Sequence, residues 1–302
     1  MVGDILNKNK ANGIVSDLLK YLLCELKEKN IPISHFRIQK TVFKIKKELK
    51  DTHPLYGDLP FYWYEHGPFS NIVATEFNSL KHNNCDLYSS KTVFLNDNSF
   101  EKFSDNTYLI KKYPEIIDIS QKIFEDRNNF LNKLDEDIYI DYAPFSFMHT
   151  FKYNLFEPFR NEDLNPEDYD YYLDSFYECL SNLPYDNRLN DFSILFSRLF
   201  SRLELLNDEN QFENCLNYIS ESIQQSWMTF ARWLSIYKHD TFYKNELPKW
   251  EKDLDQRVKK FHKTVNTLED ETEYIFNNYS PKTFTSFEER IYNATIGNYL
   301  KE

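Results

Sequence analysis

Apolar side chains recur along most of this chain at steps of three and four, the spacing that lines one face of an α-helix. From 14 to 29 the stripe is Ile14, Val15, Leu18, Leu19, Leu22, Leu23 and Leu26, and Asn30-Ile31-Pro32 ends it. The 13 residues before it are polar and predict a frayed end. Ser34 is placed to cap a second helix carrying Ile38, Val42, Ile45 and Leu49, widened by Phe36 and Phe43. Pro114 opens a helix expected over about 115–134, with Ile116, Ile119, Ile123, Phe130 and Leu134 on one side. Phe192, Leu195, Phe196, Leu199, Leu203 and Leu206 make another stripe, and Asp208 is placed to cap the helix after it. That helix uses Phe212, Leu216, Ile219, Ile223, Phe230, Leu234 and Tyr237. After a break at 239–247, Trp250, Leu254, Val258, Phe261, Val265, Leu268, Ile275 and Tyr279 continue the pattern. These last two helices would each run about 40–50 Å and pair as an antiparallel hairpin. Trp227 and Trp233 fall on buried faces and are read as core. A short terminal helix is expected over 287–300.

The periodicity breaks at one place, Leu59–Leu80, LPFYWYEHGPFSNIVATEFNSL. Phe61-Tyr62-Trp63-Tyr64 is too short and aromatic for a helix and reads as an extended segment. Gly67-Pro68 makes a turn, since proline pushes the preceding residue out of the helical region and glycine tolerates the resulting backbone conformation. Ser70 then caps a helix with Ile72, Val73, Phe77 and Leu80 inward. Lys91–Leu95, Asn96-Asp97-Asn98 and Ser99–Phe103 read as a small β-hairpin across a polar turn. The expected fold is mainly α. A winged-helix-like helical domain with a small β-hairpin would occupy 1–134, and an acidic, aromatic-rich helical bundle with a long antiparallel helix hairpin 135–302.

Charge divides along the same line. The 302-residue chain has a net charge of −12, which disfavours nucleic acid and membrane headgroups overall. Residues 1–50 nonetheless hold 11 basic against 5 acidic side chains. On the second helix Arg37, Lys40, Lys44 and Lys47 fall within about a quarter of the circumference, making them the candidate nucleic-acid contact. Between 135 and 187, 13 acidic residues face 2 basic ones, interleaved with aromatics such as Tyr139, Tyr153, Tyr171 and Tyr172. That density of aromatics predicts a folded element whose acidic outer face would suit a basic partner.

Motifs of reaction chemistry are few. With 5 glycines the chain has no GxGxxG or GxxxxGK[ST], and neither HExxH nor GxSxG occurs. Cys24, Cys85, Cys179 and Cys215 are scattered without a CxxC pair, and the seven histidines form no close ligand pair. No metal or cofactor is expected. Reduced thiols in a cytoplasmic protein without a membrane span are. His66 is read as fixing its turn rather than as a catalyst. A cryptic metal-dependent hydrolase, built on carboxylates brought together only in space, is the third reading.

One likeness emerges from these residues. Phe36-Arg-Ile-Gln-Lys-Thr-Val-Phe43 and Phe61-Tyr-Trp-Tyr-Glu-His-Gly-Pro-Phe-Ser70 with its following helix resemble the SocA/Panacea antitoxin-type domain and its YwgA-like relatives. Ile38-Gln39-Lys40 stands where those proteins carry Leu-Gln-Lys, and His66–Ser70 where they carry a Gly-Pro-Tyr-Ser-like turn. The likeness covers residues 14–130 and has no counterpart for the C-terminal half. It implies a non-catalytic module, of a toxin–antitoxin or antiphage defence system, that binds a cognate toxin or regulatory protein. Trp63, Tyr64, His66, Gly67, Pro68 and Phe69 would be its motif or partner-binding residues. A winged-helix nucleic-acid binder is the alternative.

Overall fold

The computed structural model describes residues 2–89, 91–104, 112–161, 164, 168–208 and 211–279, with side chains from residue 13 onward. The expected helix at 287–300 lies outside them. The described residues are mainly helical, with small antiparallel sheets. They form two compact units, Met1–His149 with Ala231–Lys252, and Thr150–Phe230 with Asp253–Glu302.

In the first unit, α1 (Val2–Glu28) begins well before the apolar stripe, so the polar N-terminal residues extend the helix instead of fraying. Val15, Leu18, Leu19 and Leu22 are wholly buried. Each such leucine is worth roughly 1.5–3 kcal/mol of burial. Strand β1 (Ile33–Ser34) leads into α2 (His35–Glu48), which Ser34 caps by accepting from Arg37 N at 3.1 Å. Strands β2 (Tyr62–Tyr64) and β3 (Gly67–Phe69) pair antiparallel, Trp63 opposite Pro68, about the two-residue turn Glu65-His66. Helix α3 (Asn71–Asn84) comes next, capped by Ser70, and buries Ile72, Val73, Phe77 and Leu80. It packs on α1.

Strands β4 (Cys85–Leu87) and β5 (Thr92–Leu95) pair antiparallel, and β5 also takes β1, with Ile33 opposite Val93. The expected second arm of the hairpin, Ser99–Phe103, is not a strand: it lies in helix α4 (Asp97–Ser104). Asn96 is the reason. Its Oδ1 accepts from Ser99 N at 2.9 Å, so the polar tripeptide starts a helix where a turn was expected. The helix expected over 115–134 is likewise broken, into α5 (Glu115–Glu125), α6 (Arg127–Asn132) and the start of α7 (Leu134–Tyr142). Asp126 breaks it: the residue is extended and its carboxylate caps Asn129 N at 2.9 Å. A helical turn, α8 (Phe147–Thr150), ends this part.

The second unit opens with a π-helical segment, Phe151–Phe156, continuing as α9 (Glu157–Asn161). Helices α10 (Tyr169–Ser181) and α11 (Asn190–Asp208) pack together, with Phe176 stacked on Phe196 at 4.2 Å. Asp208 closes α11. The next helix, α12 (Leu216–Tyr237), is entered through a 3₁₀ turn at Glu213–Cys215. Helix α13 (Leu247–Tyr279) is the last element described. Trp227, in this unit, and Trp233, in the first, are both buried, as expected of core residues. No helix among the described residues is long and apolar enough to cross a membrane.

Candidate functional site

The two halves of the sequence motif meet. Gln39 on α2 donates its amide to Ser70 O at 3.0 Å and accepts from Ser70 N at 2.9 Å, so one side chain satisfies both backbone groups of the residue that caps α3. Beside it Lys40 donates to His66 O and pairs with Asp135 Oδ1 of α7 at 3.0 Å. Its ammonium also sits 4.9 Å from the Phe36 ring and 5.7 Å from the Tyr139 ring. Lys40 is only 1 % exposed, and a cation that deep requires such partners.

Gly67 permits that approach. Its φ is +86°, and a Cβ there would overlap Lys40 Nζ and lie 3.0 Å from Tyr139 Cε2. Glycine is therefore required both by conformation and by space.

The remaining motif residues build the ribbon's two faces. Trp63 is buried edge-on to Phe43 and Tyr139, 5.9 and 5.4 Å away. Its carbonyl accepts from Ser235 Oγ at 2.7 Å and its N–H donates to Lys238 O. The Tyr64 ring lies 4.3 Å under the Arg232 guanidinium. Pro68 is buried, Phe69 half-buried between His35 and Tyr62, and His66 exposed with its ring edge-on to Phe36. The 231–252 stretch thus closes over the ribbon. Asp240 joins it there, accepting from Phe61 N at 2.5 Å and from buried Lys46 at 2.6 Å. Tyr243, its hydroxyl pushed up to about 12 by burial, accepts from Asn71 N.

The four basic residues of α2 do not form one solvent face. Lys40 is buried in its pairs, Arg37 donates to Leu131 O at 2.9 Å, and Lys47 lies 5.4 Å over the Phe43 ring. Lys44 is half-buried at a cleft between α2 and α5–α7. Sequence reasoning named Lys40, and Gln39 beside it as part of a motif, but not the partners of either. Asp135 lies 95 positions away, and periodicity carries no signal for a pairing at that distance.

Two further features bear on chemistry. Among the described residues no group of three or more His, Cys, Asp or Glu is arranged to hold a metal ion. In the second unit, α10 buries Tyr172, Phe176 and Cys179 and turns outward Asp170, Tyr171, Asp174, Tyr177 and Glu178. Tyr171 and Tyr177 are 52 % and 60 % exposed. No protein-family model, curated protein or solved structure matches the chain.

Proposed function

We propose that this protein is a non-catalytic interaction module, antitoxin-like in the sense of its motif resemblance, that binds a basic protein partner. The observation that carries this reading is the outer face of α10. Two tyrosines more than half exposed sit among three exposed carboxylates, with no basic residue on the helix. Tyrosine supplies contact area at low entropic cost, and the carboxylates would steer a Lys- or Arg-rich surface towards it. The Gly-Pro corner then has a different role. Gln39, Lys40 and Gly67 hold the first unit's scaffold, and their polar groups are engaged in that. This division supports the likeness to SocA/Panacea domains, because the paired motif segments are the ones that touch. The return of α13 along α12 as an antiparallel hairpin belongs to the same reading and draws on the bond from Arg257 to Met228 O at 3.3 Å.

The test is capture from the host with tagged full-length chain and with a Tyr171→Ser, Asp174→Lys, Tyr177→Ser variant. The reading expects a basic protein retained by the parent and lost by the variant, with the two chains melting alike. Equal retention by both would refute it.

A second reading is favoured by the order of elements in the first unit. The first unit runs helix, strand, helix, strand, strand, helix, strand, strand; with the β2–β3 ribbon set aside as an insertion, and β5 lying between β1 and β4, this resembles the order of a winged helix. In such a module α3 would enter the groove. Its outward residues Asn71, Thr75, Asn78 and His82 are of types that reach base edges or phosphates. Salt-sensitive retardation of a DNA duplex, weakened by Lys44→Glu with Lys47→Glu, would favour this reading.

A further inference from the structure

The break at Asp126 leaves a cleft in the first unit, along α2 and walled by α5, α6 and α7. Because the chain turns there, Ile119 and Ile123 of α5 face the same space as Phe130 and Leu134. The space measures about 210 Å³. An apolar cavity of about 150 Å³ takes benzene, so this one has room for a ring or short chain and a single head group.

The polar groups at its walls are of two kinds. The carboxylates are engaged: Glu48 accepts from Tyr142 Oη at 3.0 Å, Asp126 from Asn129 N at 2.9 Å, and Asp137 from Asn129 Nδ2 at 3.2 Å. The ammonium groups of Lys44 and Lys122 have neither an ion pair nor a hydrogen bond among the described residues. Each is a donor of three protons with no acceptor among those residues. These two ammonium groups are the donors that the cleft leaves open to a ligand, above an apolar floor.

We propose that the cleft binds a small carboxylic acid with an apolar ring or tail. The carboxylate sits between Lys44 and Lys122, and the hydrocarbon lies on Phe130 and Leu134, which are buried beneath the opening. The charge count limits the ligand further. Three carboxylates stand beside the two lysines at the walls, so a ligand with a single negative charge placed at the ammonium groups meets less repulsion than a phosphate dianion.

The experiment titrates 3-phenylpropionate and octanoate into the full chain by calorimetry and ligand-observed NMR, beside 3-phenylpropionamide, octanol and inorganic phosphate. The proposal expects saturable one-site binding of at least one acid, about ten-fold or more tighter than its neutral analogue, and none of phosphate. Lys44→Met and Lys122→Met should each weaken the acid by about ten-fold while the melting temperature stays put. Both side chains are at least partly exposed, so neither change threatens folding. No saturable binding by either acid, equal affinity for acid and neutral analogue, phosphate binding at equal strength, or parent-like affinity in both lysine variants would each overturn it.

Discussion

Replacing Lys40 with methionine tests the organisation of the first unit at its deepest charge. Methionine keeps the length and apolar contacts of the lysine stem and removes the ammonium. Three interactions go with it: the bond to His66 O, the pair with Asp135 at 3.0 Å, and the contacts over the Phe36 and Tyr139 rings. Removing one partner of a buried pair costs about 3–5 kcal/mol, because the other is left stranded. Asp135 is 21 % exposed, so water recovers part of that loss, and about 2–4 kcal/mol remains. The corresponding fall in melting temperature is about 5–15 °C. Urea unfolding followed by tryptophan fluorescence is a suitable assay, since Trp63 lies 5.4 Å from Tyr139 and reports this corner. Asp135→Asn completes a double-mutant cycle, with a coupling of about 1–3 kcal/mol expected. If Lys40→Met stays within about 0.5 kcal/mol of the parent, or the two changes simply add, the ammonium is not what joins α2, the ribbon and α7.

Gly67→Ala should cost about 2–4 kcal/mol by the same denaturation assay, from the positive φ and from crowding against Tyr139 and Lys40; Gly67→Asn, which tolerates the φ but not the crowding, should be no better. Asp240→Ala should destabilise by about 3–4 kcal/mol, since it strands Lys46 at 3 % exposure and removes the acceptor of Phe61 N. His35 carries a pH signature. Burial, and next the Lys81 charge, lower its proton affinity from the ordinary 6.5, and Nε2 has no hydrogen-bond partner among the described residues. Between the lowered value and 6.5 the unfolded state holds more protons, so stability is complete above 6.5 and falls as pH drops through that window. Thermal melts across that range should show this slope in the parent. It should be absent in His35→Phe, whose ring fits between Phe69 and Phe77.

Much of the helical framework was readable from spacing, because burial of one face imposes its period on the residues. Ser34 and Ser70 announced their caps in the same way, each standing just before an apolar run. The failures were local competitions that periodicity does not register. Asn96 and Asp126 each use a side-chain oxygen to start a new helix, turning an expected strand into α4 and breaking one long helix between α5 and α6. The basic stripe on α2 was misleading for a different reason. A helix buried on nearly every side can carry lysines inward when a distant carbonyl and carboxylate receive them, and neither His66 nor Asp135 has a helical relation to Lys40. The exposed α10 face was half visible: its charge and tyrosines stood in the sequence, but which tyrosines point outward depends on the packing of Phe176 and Tyr172.

Zero-length carbodiimide cross-linking in the native host joins carboxylates to the lysines they touch, and so bears directly on whether α10 grips a basic protein. Cross-links are expected from Asp170, Asp174 or Glu178 to lysines of one basic protein, abolished by high salt. Cross-links to a partner that avoid α10 altogether would contradict that role.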